Sequence, residues 1–254
     1  MNYFKEFLKI SPFSHALWRT AEAVSLPAGL LKRPILDLGC GYGEFSGVFF
    51  NSSVEMGIDN AKGDIDRARL TKIYKKLIVG DARKMPFNDA TFKTVFSMSV
   101  VEHIRGTQKV LNESYRVLKP GGRLILTTPK KGFTRQLFYP RILRSLGLFG
   151  LADFYENSIN RTFKHYSLYN ENQWEKMLNK AGFIVEKLEP NLLGNIAMWW
   201  DIGLVFALPS QLSKILTGKR MVFSPKIRIE LLEMLFKKQV SNMHGEVCNF
   251  LIVA

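Results

Sequence analysis

The chain is poor in cysteine, in acidic side chains and in long apolar runs, and each shortage excludes a class of protein. Two cysteines, Cys40 and Cys248, cannot build a disulfide framework, so we predict a reducing, cytoplasmic setting. Residues 1–10 alternate charges with aromatic side chains and lack the apolar core of a signal peptide. The most apolar segment, residues 192–208, carries Asp201 and is shorter than the ~20 residues of a membrane-spanning helix. These shortages, with a hydrophobic content of 46%, indicate a globular chain.

Acidic residues are outnumbered, since 22 Asp and Glu accompany 36 Lys and Arg and leave a formal net charge of +14. A basic protein favours nucleic acid, an anionic membrane surface or an anionic substrate as its partner. The excess is concentrated in two stretches without acid, residues 130–152 and 202–229, where the basic residues stand among aliphatic ones. No RNA-binding module is visible, so nucleic acid is the least favoured of the three. The basic residues are Lys130, Lys131, Arg135, Arg141 and Arg144, then Lys214, Lys219, Arg220, Lys226 and Arg228.

The chain is organised around residues 35–46, where a short apolar run meets a glycine-dense turn. The run predicts a strand buried on both faces, and the glycines let the backbone bend sharply and approach a ligand. A helix is predicted after the turn, with its N-terminus toward a polar ligand. The dinucleotide fingerprint is incomplete, because Glu44 stands where its third glycine belongs and Gly43 comes one residue early. Together with Asp37, this favours a nucleoside that carries an amino acid over NAD.

Strand and helix patterns alternate from residue 34 to residue 128 and predict an α/β, doubly wound, mostly parallel sheet. Ligands of such folds bind beyond the carboxyl ends of the strands, where Gly39, Asp59, Asp81 and Ser97 fall. We expect strands near residues 34–38, 54–58, 76–79, 94–97, 123–128, 183–188 and 247–253. Helices are expected within residues 3–25 and at 44–51, 62–69, 106–118, 170–181 and 227–238.

The motifs of this region follow one another in a fixed order. They are the glycine turn, Val54–Asp59, Ile78–Ala82, Phe87–Phe92, Val95–Ile104 and Glu113–Gly122. In this order they resemble the class I S-adenosylmethionine-dependent methyltransferases, a Rossmann-like superfamily, and within it the methyltransferase type 11-like domain. The resemblance covers roughly residues 30–130.

The resemblance implies a seven-stranded Rossmann-like sheet, S-adenosyl-L-methionine as the cofactor and methyl transfer as the reaction. It implies that Asp59 holds the ribose hydroxyls and that Asp81 faces the adenine amino group. The cofactor-binding residues it implies are Asp37, Gly39, Cys40, Gly41, Gly43, Asp59, Asn60, Asp81, Ala82, Ser97 and Met98.

Three side chains are candidates for acid–base chemistry at a hydroxyl acceptor, which reacts more readily once a base removes its proton. His103 follows the fourth predicted strand beside Glu102, while His165 and Tyr166 precede the helix at 170–181 and are expected on the substrate side. Alternatively, His103 only shapes the cofactor pocket. Some quinone-type O-methyltransferases bind a metal with an acidic residue three positions before a Glu-His pair. Ser99 holds that position here, so we predict no metal.

The predicted domains follow these patterns. Residues 1–30 form an N-terminal helical cap, and residues 31–189 with 246–254 form the methyltransferase core, interrupted by an insertion at 130–165. Residues 190–245 form an apolar and basic helical lid before the last strand. These insertions have three interpretations: membrane contact, a lid over an apolar soluble substrate, and a dimer interface.

We therefore predict a methyltransferase acting on an oxygen, or alternatively a carbon, of an apolar or lipid-linked acceptor such as a glycolipid, polyprenyl carrier or quinone precursor. Its predicted location is cytoplasmic, with the inner membrane face as a peripheral site. The alternatives are a soluble small-molecule methyltransferase, a nucleic-acid methyltransferase and a non-catalytic binding module for the cofactor. Ser97-Met98-Ser99 replaces the Asn/Asp-Pro-Pro motif of base-modifying enzymes, which disfavours nucleic acid. The intact cofactor set disfavours a module without catalysis.

Overall fold

A computed structural model describes residues 2–26, 28–217 and 225–254, and its centre is a seven-stranded sheet. The strands are β1 (Ile35–Leu38), β2 (Val54–Asp59), β3 (Tyr74–Val79), β4 (Phe92–Met98), β5 (Leu118–Pro129), β6 (Lys187–Leu193) and β7 (Val247–Val253). Their spatial order is β3-β2-β1-β4-β5-β7-β6. The first five strands pair in parallel and β7 pairs antiparallel with β5. The predicted fold class is confirmed.

Helices occupy the connections between the strands. They are α1 (Tyr3–Ile10), α2 (Phe13–Ser25), α3 (Glu44–Phe49), α4 (Lys62–Ala68), α5 (Thr107–Val117), α6 (Phe138–Ser145), α7 (Phe149–Thr162), α8 (Glu171–Ala181), α9 (Gly194–Thr217) and α10 (Lys226–Ser241). Short 3-10 helices cover Ala28–Leu30, Arg69–Thr71, Val101–His103 and Phe133–Gln136.

The ends of α8 show why this helix could be placed from sequence. The Asn170 side chain accepts a hydrogen bond from the backbone N–H of Gln173, whose side chain accepts one from Asn170 in return. This reciprocal cap satisfies two backbone donors that a helix start leaves unpaired. Gly182 ends the helix in the left-handed conformation that glycine adopts without strain.

The sixth strand corrects the sequence prediction. It was expected at residues 183–188, whereas β6 begins at Lys187 and continues to Leu193. It lies at the edge of the sheet, where Pro190 is tolerated because one side of the strand needs no ladder hydrogen bonds. Phe183 instead packs against the ring of Tyr115, with ring centroids 5.2 Å apart. The segment predicted as the start of the lid therefore contributes to the sheet.

The chain forms two compact units. The sheet unit comprises Ser25–Lys131, Phe163–Pro190 and Asn249–Ala254, and the helical unit comprises Met1–Val24, Gly132–Thr162 and Asn191–Cys248. In the sheet unit, β1 is buried along its whole length because it pairs with β2 on one side and β4 on the other. The cap, core and lid boundaries stay a prediction.

Aromatic side chains form the interior of the helical unit. The ring of Trp18 lies 6.0 Å from that of Phe133 and 5.5 Å from that of Trp200, measured between centroids. Trp200 is buried in this interior. Phe13 packs on Phe236, with centroids 4.7 Å apart.

Asp201 is fully buried in the same unit, although it is the single charge of the apolar segment. Its carboxylate accepts hydrogen bonds from the hydroxyl of Tyr155 (2.6 Å) and the backbone N–H of Tyr139 (3.0 Å). Burial raises the pKa of the Asp201 carboxyl, because the charged form is penalised when water is excluded. This carboxylate therefore joins α9 to α6 and α7.

The two ends of the segment between β6 and β7 lie next to each other, at Gly194 and Asn195 on one side and His244 and Gly245 on the other, and we call this contact the neck. The backbone N–H of Asn195 donates to the carbonyl of His244 (3.1 Å), and the N–H of His244 donates to the Asn195 side chain (3.0 Å). Gly194 and Gly245 face each other so closely that a Cβ on Gly245 would stand 3.3 Å from the Cα of Gly194. The two ends of the lid segment thus meet at one point.

Among the described helices, none combines the length and the apolar character needed to cross a bilayer. Two of the basic residues singled out from the sequence, Lys219 and Arg220, lie outside the described residues.

Candidate active site

The glycine turn after β1 gives the site its shape. Gly39, Gly41 and Gly43 all adopt positive φ angles, of 76°, 50° and 73°. A Cβ on Gly39 would lie 2.2 Å from Cγ1 of Val100, and one on Gly43 would lie 3.0 Å from the ring of Tyr74. A Cβ on Gly41 would meet nothing within 4 Å. The turn is therefore packed at its two ends and open at Gly41, where a ligand can reach the backbone.

Asp59 is held against this turn by two backbone donors. Its Oδ2 accepts from the N–H of Gly41 (3.0 Å) and its Oδ1 from the N–H of Ala61 (2.9 Å). The N–H groups of Gly39 and Cys40 donate to the carbonyl of Ile58, which ties the turn to the end of β2. A carboxylate has about four acceptor positions, so two fixed hydrogen bonds leave capacity for ligand hydroxyls. Asn60 follows and is exposed.

Asp37 lies beneath the turn and is buried. Its Oδ2 accepts from the hydroxyl of Ser46 (2.6 Å) and from that of Tyr74 (2.5 Å), which joins β1 to α3 and β3. Burial, followed by the charge of Asp37, raises the pKa of the Tyr74 hydroxyl. Asp37 therefore fixes the elements around the turn, and its predicted contact with a ligand ammonium stays a prediction.

Cys40 fills the inside of the turn. It is buried, and burial followed by the nearby Asp37 and Asp59 raises the pKa of its thiol. A Cβ on Gly57 would stand 3.1 Å from the Cys40 sulfur, so the thiol packs against β2. A thiol that keeps its proton is a poor nucleophile, as expected from the sequence.

Asp81 follows β3 and is held by a residue that sequence reasoning missed. Arg83 donates to its carboxylate from the backbone N–H (2.8 Å), from Nε (3.0 Å) and from Nη2 (2.7 Å). These hydrogen bonds lower the pKa of the Asp81 carboxyl. Ala82 lies between the two and is partly exposed. A ligand amino group at Asp81 would share the carboxylate with a guanidinium.

Ser97 and Met98 lie in the interior at the end of β4. The Ser97 hydroxyl donates to the carbonyl of Leu38 (3.0 Å) and thereby joins β4 to β1. Ser99 then turns the chain with a positive φ of 51°. This turn brings Val100 against Gly39. Ser97 and Met98 therefore pack the end of β4, and their predicted contact with the cofactor stays a prediction.

The three candidate catalytic side chains come together in the sheet unit. The N–H groups of Tyr166 and Ser167 donate to the carbonyl of Glu102 (2.8 and 3.1 Å), so the segment before α8 is docked on the segment after β4. The rings of His103 and His165 consequently stack, with centroids 5.3 Å apart. Tyr166 is exposed, and the guanidinium of Arg105 lies 4.4 Å from its ring centroid.

The two histidines have different electrostatic surroundings. Burial and the neighbouring His103 lower the pKa of His165 to about 3, so its ring is neutral in the physiological range. His103 is more exposed, and its Nε2 lies 3.8 Å from Oε1 of the buried Glu102. A carboxylate beside an imidazole stabilises the imidazolium that forms when the ring takes a proton. His103 is therefore the better suited of the two to act as a base.

Metal ligation was disfavoured by the sequence. Within residues 2–26, 28–217 and 225–254 the His, Cys, Asp and Glu side chains form no cluster of three that could hold a metal ion.

Comparison with known proteins points to one family. Residues 36–126 match the family model described as a methyltransferase domain. The chain is 34% identical over 130 residues to a sterol 24-C-methyltransferase of Pneumocystis carinii, an alignment that covers 47% of this chain and 34% of that protein. It is 29% identical to a demethylmenaquinone methyltransferase of Symbiobacterium thermophilum, over 65% of this chain and 73% of the relative.

The fold has counterparts among solved structures. Phosphoethanolamine N-methyltransferase 2 of Haemonchus contortus, solved with phosphomonomethylethanolamine and S-adenosylhomocysteine, superposes with a TM-score of 0.56 at 22% identity. The match covers 100% of this chain and 56% of that one. The chain thus spans about a third of the sterol enzyme and just over half of this structure, while the glycine turn, Asp59 and Asp81 all lie within the matched domain.

Proposed function

We propose that this chain, whose residues 36–126 match a methyltransferase domain, is a class I S-adenosylmethionine-dependent methyltransferase that transfers a methyl group to an apolar or lipid-linked acceptor. The acceptor atom we propose is an oxygen, with carbon as the alternative. The observation that carries the reaction is the open backbone at Gly41 beside the fixed carboxylate of Asp59, within the matched domain. S-adenosylmethionine supplies, when bound, a methyl group made electrophilic by its sulfonium.

The residues at the turn fit this cofactor. A side chain at position 41 would enter the open space where the ligand must approach, and glycine leaves that space free. Asp59 keeps acceptor capacity for two hydroxyls because its oxygens each accept one backbone hydrogen bond. Cys40 and Asp37 support the turn from below. The cradle is therefore preorganised, which lowers the cost of ordering it when a ligand binds.

His103 is the residue we assign to proton removal from the acceptor. Its Nε2 faces the Glu102 carboxylate while its Nδ1 lies 3.4 Å from the carbonyl of Lys164. Since 3.8 Å is longer than a hydrogen bond, Nε2 is the nitrogen that we assign to take the proton, and the stacked, neutral His165 supports the ring. A positioned base of this kind contributes roughly 10²–10⁴ to a rate. Tyr166, exposed beside the two rings, is placed to contact the acceptor.

The acceptor class rests on the relatives. One is named for methylation of a sterol carbon and another for methylation of demethylmenaquinone, and both acceptors are apolar molecules. A malonyl-[acyl-carrier protein] O-methyltransferase of Serratia marcescens, 33% identical over 41% of this chain and 41% of its own length, supports oxygen as an acceptor atom. An apolar acceptor bearing an acidic hydroxyl agrees with a histidine base near the turn.

The test is a product assay with purified protein. S-adenosylmethionine labelled in its methyl group is incubated with a demethylated quinol, with a sterol and with a water-soluble phenol, and the label is sought in the acceptor by mass spectrometry. We expect labelled quinol or sterol and release of S-adenosylhomocysteine. Label in the phenol alone would refute the apolar acceptor. Cofactor binding by calorimetry without transfer to any acceptor would favour a non-catalytic binding module instead.

A further inference from the structure

The connection between α6 and α7 exposes apolar side chains that a folded chain ordinarily buries. Six of them, between residues 142 and 154, have 44–72% of their surface exposed. Contiguous apolar exposure of this kind marks an interaction surface, whereas single exposed apolar residues do not. We name this set the hairpin tip; it consists of Ile142, Leu146, Leu148, Phe149, Leu151 and Phe154.

The hairpin tip has a defined backbone. Gly147 adopts a positive φ of 75° and its N–H donates to the carbonyl of Arg144 (3.0 Å). The N–H of Leu148 donates to the carbonyl of Leu143 (2.8 Å), which closes the end of α6 in the manner of a helix C-terminal motif. The exposure of the tip therefore belongs to an ordered turn.

The two helices of the hairpin are also clamped together below the tip. Arg144 donates from Nη2 to Glu156 (2.8 Å) and also pairs with Asp153. The ring of Tyr139 packs on that of Tyr155, with centroids 5.6 Å apart. Because the clamp fixes the direction of both helices, the apolar residues stay at the surface together.

The charges around the tip select an anionic partner. No acidic residue occurs between Lys130 and Ala152, and the two acids that follow within α7, Asp153 and Glu156, both pair with Arg144. Arg141 is exposed next to Ile142 of the tip, and Arg135 is exposed on the 3-10 helix that precedes α6. Apolar and aromatic residues beside Arg and Lys favour the boundary between lipid headgroups and acyl chains, where rings enter and cations meet phosphates.

We propose that the hairpin tip inserts into the headgroup region of an anionic lipid bilayer. This inference rests on the proposed function, because binding to the bilayer would bring the chain to an apolar acceptor that is dissolved there. Binding to lipid needs no methyl transfer, so the two can fail separately. We propose the bilayer surface as the partner of the hairpin tip, and the test distinguishes it from a second copy of the chain.

The experiment uses the full chain with vesicles of phosphatidylcholine alone and of phosphatidylcholine with phosphatidylglycerol. Co-sedimentation should rise with the phosphatidylglycerol fraction and fall with salt, because exposed charges are screened. The double variant Leu146→Ser/Phe149→Ser should lower the partition coefficient by about tenfold or more, since two apolar side chains no longer enter the interface. The control is Ile184→Ser, which changes an even more exposed apolar residue of the sheet unit and should bind as the wild type.

A second measurement keeps the test independent of folding defects. Phe149→Trp should bind vesicles, and its fluorescence should be quenched by lipids brominated on the acyl chain. Wild-type protein that ignores anionic vesicles at low salt, or a tryptophan at position 149 that is not quenched, overturns the proposal. Concentration-dependent dimerisation that the double variant abolishes, without vesicle binding, would assign the tip to a second copy. Calorimetry with S-adenosylmethionine on the same samples shows separately whether the proposed function holds.

Discussion

The imidazole rings of His103 and His165 stack with their centroids 5.3 Å apart and their planes 20° apart, although they come from separate segments of the chain. A proton on one ring raises the cost of a proton on the other, because like charges repel at this distance. Burial places the penalty on His165, whose pKa falls to about 3. His165 therefore stays neutral beside His103, whose Nε2 lies 3.8 Å from Oε1 of Glu102.

His103→Asn tests the assignment of the base. We expect turnover to fall by about 10²–10⁴, with cofactor affinity unchanged, because the ring takes the acceptor's proton and is not part of the glycine turn. Steady-state rates and calorimetry measure the two effects. His244→Asn, in the helical unit, is the control and should leave the rate unchanged. A loss below about tenfold would leave His103 as a pocket residue.

His165→Phe tests the buried ring. The pKa of His165 is lowered in the folded state, from 6.5 to about 3, so the unfolded chain binds the proton more tightly. Its contribution to stability is complete above pH 6.5 and is lost as pH falls toward 3. Phenylalanine keeps the stacking and removes the titration. As the pH is lowered from 7 to 5, the free energy of unfolding of the variant, measured with urea, should therefore rise by roughly 2 kcal/mol relative to that of the wild type. Parallel stability curves for the two proteins would contradict the shift.

Asp59→Ala tests the cofactor site. Loss of the carboxylate should weaken S-adenosylmethionine binding by roughly 1.5–3 kcal/mol, the range for charge-assisted hydrogen bonds. It also removes the acceptor for the N–H groups of Gly41 and Ala61. Calorimetry provides the measurement, and Asp66→Ala on α4, where the carboxylate pairs with Lys62 and Arg69 at the surface, provides the control. Equal affinity in Asp59→Ala and wild type would remove Asp59 from the site.

Gly39→Ala and Gly41→Ala form a matched pair within one turn. Both place alanine at a positive φ, which costs about 1–2 kcal/mol. Gly39→Ala adds a collision with Val100, so its loss of unfolding free energy should be the larger. The methyl group of Gly41→Ala meets no protein atom but lies in the open side of the turn. This variant should therefore lose more free energy of S-adenosylmethionine binding than free energy of unfolding. Denaturant unfolding with calorimetry separates the two. Indistinguishable variants would show that the open side is not where the cofactor binds.

Much of the sheet follows from local sequence. The run before Gly39 predicted β1 within a residue, and the cap at Asn170 with the glycine at 182 predicted α8 at both ends. Central strands are buried on both faces, so their apolar runs are unambiguous. The edge strand β6 has no such apolar run, because it contains Lys187, Glu189 and Pro190. Its position was therefore predicted about four residues too early.

Spacing along the chain predicted that Asp59 lies beside the glycine turn, as its hydrogen bond with Gly41 shows. Its role toward a ligand stays a prediction, and contacts between distant segments were missed. Arg83 was missed, because a basic residue two positions after Asp81 is typical of any surface turn. From the sequence, Asp201 argued only against a membrane-spanning helix, and its buried contacts were missed because its partners Tyr139 and Tyr155 come from a distant segment. No local pattern shows which hydroxyl will reach a carboxylate across helices.

The neck between Asn195 and His244 allows the segment between these two residues to vary in length. Its hydrogen bonds and the facing Gly194 and Gly245 hold the two ends together whatever lies between them. The entropy of closing a flexible loop grows only with the logarithm of its length, about 0.6 kcal/mol for each doubling. A longer or shorter segment inserted at this neck therefore leaves the pairing of β5 with β7 nearly unaffected. A chain built this way can change the residues between Asn195 and His244 while the sheet and the glycine turn keep their contacts.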